Sequence, residues 1–325
     1  MERNLRRAKG KHTVAIVGLG AMGRRHARVL GSLPGRFELV GAYDVRPDRE
    51  HAAGVVALED EGAAIAGAEV LVVATPNAAH TGTVTRALGA GRHVLVEKPL
   101  CATAAEARTL EGLARGPARL FVGHSERFNP VIRALARLTR DEEVVSIDLL
   151  RVGPSRPTSC SVLINLGVHD LDLAAYLGGG DVTLRGAAGA VSSETPGEDL
   201  AHVLMTTGCG AVAHVYVDRT VPDKRRSITL TTTRWIYEGD LLSHRLVRRA
   251  RDGGARSEVP LPLDEPLAAQ AVALADALDG AIPRELATAA DGARAVVLAE
   301  RAAEWCAPGE AMAPLVVPLG RRRPD

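Results

Sequence analysis

Aromatic residues make up only 3% of this chain, and its four cysteines, Cys101, Cys160, Cys209 and Cys306, are scattered with no CxxC pair. With so few rings, the core must be built from Val, Leu, Ile and Ala. The cysteine spacing speaks against a zinc site or a disulfide framework, so no metal is expected and a reducing cytoplasm is the expected compartment. No stretch approaches the ~20 apolar residues of a membrane span, and no membrane partner is expected. The formal charge of +1 gives no global reason to bind nucleic acid. The basic opening Met1–Lys11 runs into strand-like sequence instead of an apolar leader, so a solvated arm is expected there and a signal peptide is not. There is no internal repeat, and low complexity is confined to alanine richness.

What is present is enough for two domains, since 325 residues with 46% hydrophobic and 24% charged side chains can bury two cores. From Thr13 to Val122, short apolar runs alternate with helical periodicity. Strands are expected at Val14–Val17, Glu38–Tyr43, Val70–Ala74, His93–Val96 and Leu120–Val122, and helices at Met22–Leu30, Ala78–Leu88 and Ala104–Ala114. Continuous runs such as Val70–Ala74 suit strands covered on both faces, which implies βαβ units and a doubly wound parallel sheet of the Rossmann type. After Gly123 the rhythm changes. A helix is expected at Pro130–Leu138, a strand at Val144–Arg151 and a helix at Asn165–Leu177. Six strand-like runs follow (Ala187–Ser192, His202–Thr206, Ala211–Val217, Ser227–Thr232, Arg234–Glu238 and Leu241–Val247) before helices at Leu267–Leu278 and Ala287–Trp305 and a Pro-rich tail. Consecutive strands imply an antiparallel sheet. The expected division is a dinucleotide-binding domain over residues 1–124 and an α+β domain over 125–325, with the last long helix packing back on the first.

Gly18-Leu19-Gly20-Ala21-Met22-Gly23 stands between the first strand and the first helix. Gly18 permits the tight turn, Gly20 lets backbone approach a pyrophosphate at the helix N-terminus, and Gly23 allows helix and strand to pack closely. Asp44 ends the second strand, where its carboxylate can accept from both ribose hydroxyls and repel a 2′-phosphate. That favours NAD, although Arg46 and Arg49 stand close enough to welcome the phosphate of NADP. Glu97-Lys98-Pro99 follows the fourth strand. Ligands bind beyond the carboxyl ends of parallel strands, so Lys98 projects towards a nicotinamide, where it can polarise a hydroxyl and relay a proton. Asn165 and His169 are four apart and share a face if the segment is α-helical, so the amide can orient the imidazole. His169 titrates near neutrality and can exchange a proton with an alcohol.

Together these segments resemble the glucose–fructose oxidoreductase, inositol dehydrogenase and MocA family. The likeness is carried by Gly18–Gly23, Ala74-Thr75-Pro76-Asn77 with His80, Glu97-Lys98-Pro99, the run Gly123–Pro130, Asn165–Asp172, and Asp291-Gly292 near the last helix. The resemblance implies a Rossmann domain and a second domain with a large open antiparallel sheet that forms homodimer or homotetramer contacts. It implies NAD-dependent oxidation of a secondary alcohol on a sugar, inositol or nucleotide sugar. Lys98 and His169, with Asn165, are then the catalytic group. Thr75, Pro76, Asn77, His80 and Glu97, with Ala74, line the cofactor, and Arg127 lies near nicotinamide or substrate. His124–Pro130 followed by Arg151-Val152-Gly153-Pro154 is most similar to the branch that oxidises UDP-N-acetylglucosamine at C3. Arg127, Arg151 and Arg156 would suit its diphosphate. One departure stands out: many members carry aspartate where this chain has Asn165, and an amide cannot stabilise imidazolium as a carboxylate does. That departure keeps open a second class, a non-catalytic NAD-binding sensor, beside reductases of keto-sugars and dehydrogenases of inositol or free sugars.

Overall fold

The computed structural model of the chain describes residues 10–46, 48, 54–154, 160–191 and 197–306. The opening residues 1–9, Arg49, Arg156 and the Pro-rich tail lie outside these described residues.

Runs of branched aliphatic residues form five parallel strands: β1 (His12–Val17), β2 (Phe37–Tyr43), β3 (Val70–Val73), β4 (His93–Glu97) and β5 (Leu120–Gly123). Their order is β2-β1-β3-β4-β5, so the chain leaves β1 towards one edge and returns beside it as β3. A crevice opens at such a reversal, beyond the carboxyl ends of the strands. All four residues of β3 are buried, as a strand covered on both faces requires. The covering helices are α1 (Ala21–Gly31), α2 (Glu61–Gly67), α3 (Asn77–Gly89) and α4 (Ala104–Leu113). Thr103 and Glu106 start α4 with a reciprocal capping box, satisfying backbone donors that the first helical turn leaves unpaired.

The second sheet has eight strands: β6 (Val144–Val152), β7 (Val182–Ala190), β8 (Leu200–Thr207), β9 (Val212–Asp218), β10 (Arg225–Thr232), β11 (Trp235–Asp240), β12 (Arg245–Ala250) and β13 (Arg256–Glu258). The order is β13-β12-β11-β10-β6-β9-β8-β7. Burial alternates along β8, because one face packs on helices and the other stays open. A short 3₁₀ turn (Ser125–Phe128) and α5 (Pro130–Leu138) lead into this sheet. A π-helical turn over Leu163–Gly167 precedes α6 (Val168–Leu177), and α7 (Pro266–Leu278) and α8 (Ala289–Cys306) follow the last strand.

The structure departs from the sequence expectation in five places. The sheet is not wholly antiparallel, because β6 pairs β9 in parallel. Residues 241–244 turn, with His244 at φ 53°, so the strand expected at Leu241 begins at Arg245. Asn165 sits in the π turn instead of an α-helix. The short α2 and β13 were not expected.

Among the described residues, three buried clusters form the core. The last helix joins two of them: Val296 of α8 lies with Val94 and Val122 of the parallel sheet, while Leu298, Ala299 and Ala302 lie in the core of the large sheet. A Cβ on Gly292 would meet Val122 at 2.6 Å and Leu100 at 3.2 Å, so glycine is what lets α8 approach β5. On the opposite face, Leu274 of α7 is fully buried with Val14, Ile16 and Leu30. Leu274→Ala is expected to cost about 2–5 kcal/mol of unfolding free energy, read by urea denaturation with an unchanged slope. A loss well under 1 kcal/mol would show that α7 is not part of this core.

Candidate active site

The glycine loop has the shape its sequence demands. Gly18 ends β1 at φ +93°, and a Cβ there would lie 2.7 Å from the backbone of Ala74 and Thr75. A Cβ on Gly23 would strike the Gly18 carbonyl oxygen. Gly20 is the extended N-cap of α1, and the first turn, Ala21-Met22-Gly23, carries no acidic residue, which leaves the positive helix end free for an anion. Asp44 is buried at the end of β2. Its carboxylate accepts from the Leu19 backbone N–H at 2.7 Å and from that of Arg46 at 2.9 Å, so the glycine loop and the acidic residue fix each other. The Arg46 side chain is exposed at the rim. A cleft of about 550 Å³ runs along these strand ends, lined by Gly18, Asp44, Arg46, Ala74, Thr75 and Pro76 among others.

The exit of β3 meets the exit of β4 through His80 of α3. Its ring nitrogens lie 2.9 Å from the Pro99 carbonyl and 3.0 Å from that of Thr75, so His80 clamps two strand-end loops together. The Lys98–Pro99 bond within the second loop is cis. Thr75 Oγ1 and Asn77 Oδ1 are buried without a hydrogen-bond partner in the protein. Buried polar atoms are normally paired; Thr75 lines the cleft and Asn77 opens the helix that follows it, where a dinucleotide would supply partners. The glycine loop, the free helix terminus, Asp44 and these two atoms together fit NAD.

Glu97 ends β4 and turns inward, its carboxylate 2.7 Å from His26 Nε2 of α1. Burial alone would raise the Glu97 carboxyl, but His26 and the neighbouring Lys98 outweigh it and hold it low. Lys98 goes the other way. Its Nζ donates to the Asn165 backbone carbonyl at 2.9 Å, and its pKa is lowered to about 8. Burial is the main cause, and the cations Arg151 and Arg226 add to it against the pull of Glu97.

His169 begins α6 within the field of Lys98, and its pKa is held well below the ordinary value by burial first and Lys98 second. Its Nδ1 is buried and unpartnered. The amide of Asn165 therefore does not hold that nitrogen: the π turn is wider than an α turn, and the four-residue spacing no longer stacks the two side chains. Asn165 gives the site its backbone carbonyl, which accepts from Lys98.

Arg127 and Arg151 are both buried in carboxylate pairs. Arg151 donates from Nε and Nη2 to Asp170 at 2.6 and 3.1 Å and from Nη1 to Glu126 at 3.2 Å. Arg127 donates to both oxygens of Asp172 at 2.7 and 2.6 Å and reaches Asp291 at 3.4 Å. Burial opposes the charge on each arginine, but the paired carboxylates prevail and raise both pKa values. Neither guanidinium is free to grip a diphosphate. Asp170 and Asp172 are two residues apart on a helix and so face different sides, each meeting its own arginine.

The structure thus brings Lys98, Asn165 and His169 together and places Gly18, Asp44, Arg46 and Ala74–Pro76 along the cleft, whose lining includes neither Lys98 nor His169. Sequence reasoning missed His26 and Arg226 altogether, and it gave His124 and Glu126, both inside the run Gly123–Pro130, no role of their own. Asp170→Ala is expected to cost about 3–5 kcal/mol of stability, because it leaves the buried Arg151 charge half compensated. Thermal and urea unfolding of the variant reads this directly, and a loss under 1 kcal/mol would mean that Glu126 alone suffices.

Among the described residues, no helix is long and apolar enough to cross a membrane. Two sequence profiles of one family match the chain: an oxidoreductase family with an NAD-binding Rossmann fold over residues 12–124, and the GFO/IDH/MocA C-terminal domain over residues 151–238. The chain is 29% identical over 260 residues to UDP-N-acetylglucosamine 3-dehydrogenase of Acidithiobacillus ferrooxidans, covering 77% of this chain and 80% of that one. It is 30% identical over 222 residues to inositol 2-dehydrogenase of Arthrobacter sp. (strain FB24), covering 63% and 66%. The solved structure of the Acidithiobacillus ferrooxidans UDP-N-acetylglucosamine 3-dehydrogenase GnnA superposes with a TM-score of 0.82 at 26% identity, over 91% of this chain and 97% of that one. Glycine loop, strand-end lysine, two-sheet architecture and both profiles agree: the chain belongs to the Gfo/Idh/MocA family of NAD-binding oxidoreductases.

Proposed function

We propose that this protein transfers hydride between NAD and a secondary alcohol or ketone carbon of a sugar, with Lys98 and His169 handling the hydroxyl proton. The observation that carries the reading is the placement of Lys98 directly beyond the carboxyl end of β4, its Nζ held by the Asn165 carbonyl at 2.9 Å four residues before His169; burial lowers the lysine to about 8 and keeps the imidazole neutral. We place the cofactor half at residues 1–124 and the substrate half at 125–325.

Bound NAD supplies the hydride acceptor at nicotinamide C4. Gly18, Gly20 and the α1 N-terminus would hold its diphosphate and Asp44 its adenosine ribose, with Thr75 and Asn77 between them. In the oxidation direction, neutral His169 takes the proton from the substrate hydroxyl through Nε2, its unburied ring nitrogen. The Lys98 ammonium stabilises negative charge as it develops on that oxygen, in a site where water is scarce. Glu97, fixed by His26, holds the backbone from which Lys98 projects, and the Asn165 carbonyl fixes the far end of the side chain. Reduction runs the same steps in reverse, with imidazolium as the donor.

A nucleotide sugar, UDP-N-acetylglucosamine oxidised at C3, is the first substrate to test. Similarity to that dehydrogenase over four fifths of its length supports it. A second reading, inositol or a free sugar, is favoured by the ion pairs that occupy Arg127 and Arg151, which leave a diphosphate without those two partners. Reduction of NAD+ followed by absorbance separates the two: turnover with UDP-N-acetylglucosamine and none with inositol is expected, and the opposite pattern would select the second reading.

The same assay reads pH dependence. Oxidation needs His169 neutral, a condition met above its depressed pKa, and Lys98 charged, a condition lost above about 8. The profile of kcat/KM should therefore rise on the acid side below 6.5 and fall through about 8. Lys98→Met should remove the alkaline limb, and His169→Ala should lower kcat by roughly 10²–10⁴-fold with NAD affinity little changed. An alkaline limb that survives Lys98→Met would remove Lys98 from the proton account. For cofactor choice, Asp44→Ala should narrow the preference for NAD over NADP in calorimetric titration, and equal affinities in the wild type would overturn the role given to Asp44.

A further inference from the structure

His124 follows β5 and is buried, yet neither of its ring nitrogens has a hydrogen-bond partner in the protein. The nearest carboxylate, Asp172 Oδ2, lies 3.7 Å from Nδ1, and both Asp172 oxygens are already held by Arg127. Opposite His124 stands His169, edge to face, with ring centroids 6.5 Å apart and planes at 82°. His169 Nδ1 is also buried and unpartnered. Three orphaned imidazole nitrogens on two facing rings are not a chance feature of an interior where polar groups are paired. None of the three nitrogens bonds directly to the other ring, and an edge-to-face pair with centroids 6.5 Å apart leaves each imidazole looking for a third group between them. A water in a buried site needs two to four polar partners, and these nitrogens provide them.

We propose that one buried water joins His124 to His169 Nδ1, making His124 the positioning residue for the His169 imidazole. The water donates to a ring nitrogen of His124 and accepts from His169 Nδ1–H. That fixes the His169 tautomer, since the nitrogen that carries the proton is set by the hydrogen bond it makes. The lone pair is then left on Nε2. On proton uptake at Nε2 the Nδ1–H stays in place, and its bond to the water strengthens because the donor is now charged. The arrangement also accounts for the tolerance of an amide at position 165, because the ring is oriented from the His124 side. The charged and titratable groups facing His124 are Asp172 from α6, Arg127 from the 3₁₀ turn, Asp291 from α8, Lys98 after β4, and His169 itself. Burial prevails over the two carboxylates and lowers the His124 pKa, so a neutral ring is the partner at working pH.

This inference rests on the reading of His169 as the base, and the test keeps the two apart. Nitrogen-15 spectra of the histidine rings are recorded in the wild type, His124→Phe and His124→Gln, with His169→Gln to assign the signals. The wild type should show His169 as the Nδ1–H tautomer. His124→Phe, which keeps a ring but loses its nitrogens, should mix the tautomers and shift the His169 titration. His124→Gln, which keeps a donor and an acceptor, should restore both. With UDP-N-acetylglucosamine, His124→Phe should lower kcat about tenfold, the equivalent of one lost hydrogen bond, at unchanged KM, and His124→Gln should recover most of it. An unchanged His169 spectrum in His124→Phe overturns the proposal, as does an equal change in both variants. If the variants fail to fold, electron density in a wild-type crystal decides: a water within hydrogen-bond distance of both rings supports the proposal, and none overturns it. Full activity in His169→Gln, with the Nδ1–H tautomer present in the wild type, would sink the base assignment and leave the water bridge standing.

Discussion

Two aspartates on one buried helix hold the site together. Asp170 and Asp172 of α6 are almost wholly inaccessible, and each meets a buried arginine through two hydrogen bonds. Taking such ions out of water is expensive, and the expense is offset only when geometry is good and every hydrogen-bonding position is filled. The arginines come from different parts of the molecule: Arg127 from the turn after the parallel sheet, Arg151 from β6 of the large sheet. Asp291 of α8 and Glu126 complete the two clusters. Displacing α6 by even a small amount would strand four buried charges at once. His169 is the residue before Asp170, so its position is set by these pairs as much as by apolar packing.

The same burial that makes the pairs rigid tunes the groups between them. Lys98 sits near three arginine-bearing or acidic neighbours and is lowered to about 8, while His169 is kept neutral by its surroundings. An ammonium that is charged below about 8 beside an imidazole that is uncharged near neutrality is the arrangement that alcohol oxidation asks for: a base with an open lone pair and a cation for the oxygen it deprotonates. Glu97, which by resemblance would line the cofactor, instead points inward to His26 and supports the strand end that carries Lys98.

Legibility followed the range of the interactions. Gly18 and Gly23 were readable because backbone conformation and close approach each demand glycine at one position, and Asp44 because its place at a strand end is local. Lys98 was readable for the same reason. The partners of Arg127 and Arg151 were not: they lie 45 and 19 residues away in sequence, and nothing local marks an aspartate as buried. The Asn165–His169 relation failed because a π turn has no sequence signature, and an α-helical spacing was assumed. The parallel pairing of β6 with β9 was hidden by α6, β7 and β8, which intervene in the chain. The short α2 is held by an Asp60 cap and carries too little periodicity to show.

Catalysis by Lys98 and His169 depends on where the reacting hydroxyl sits. A crystal structure with NAD and the sugar that supports turnover measures this most directly. The hydroxyl oxygen is expected within about 3.2 Å of both His169 Nε2 and Lys98 Nζ, with nicotinamide C4 facing the carbon that bears it. A sugar bound with that hydroxyl away from both groups, or a nicotinamide turned from the Lys98 side of the cleft, would contradict it.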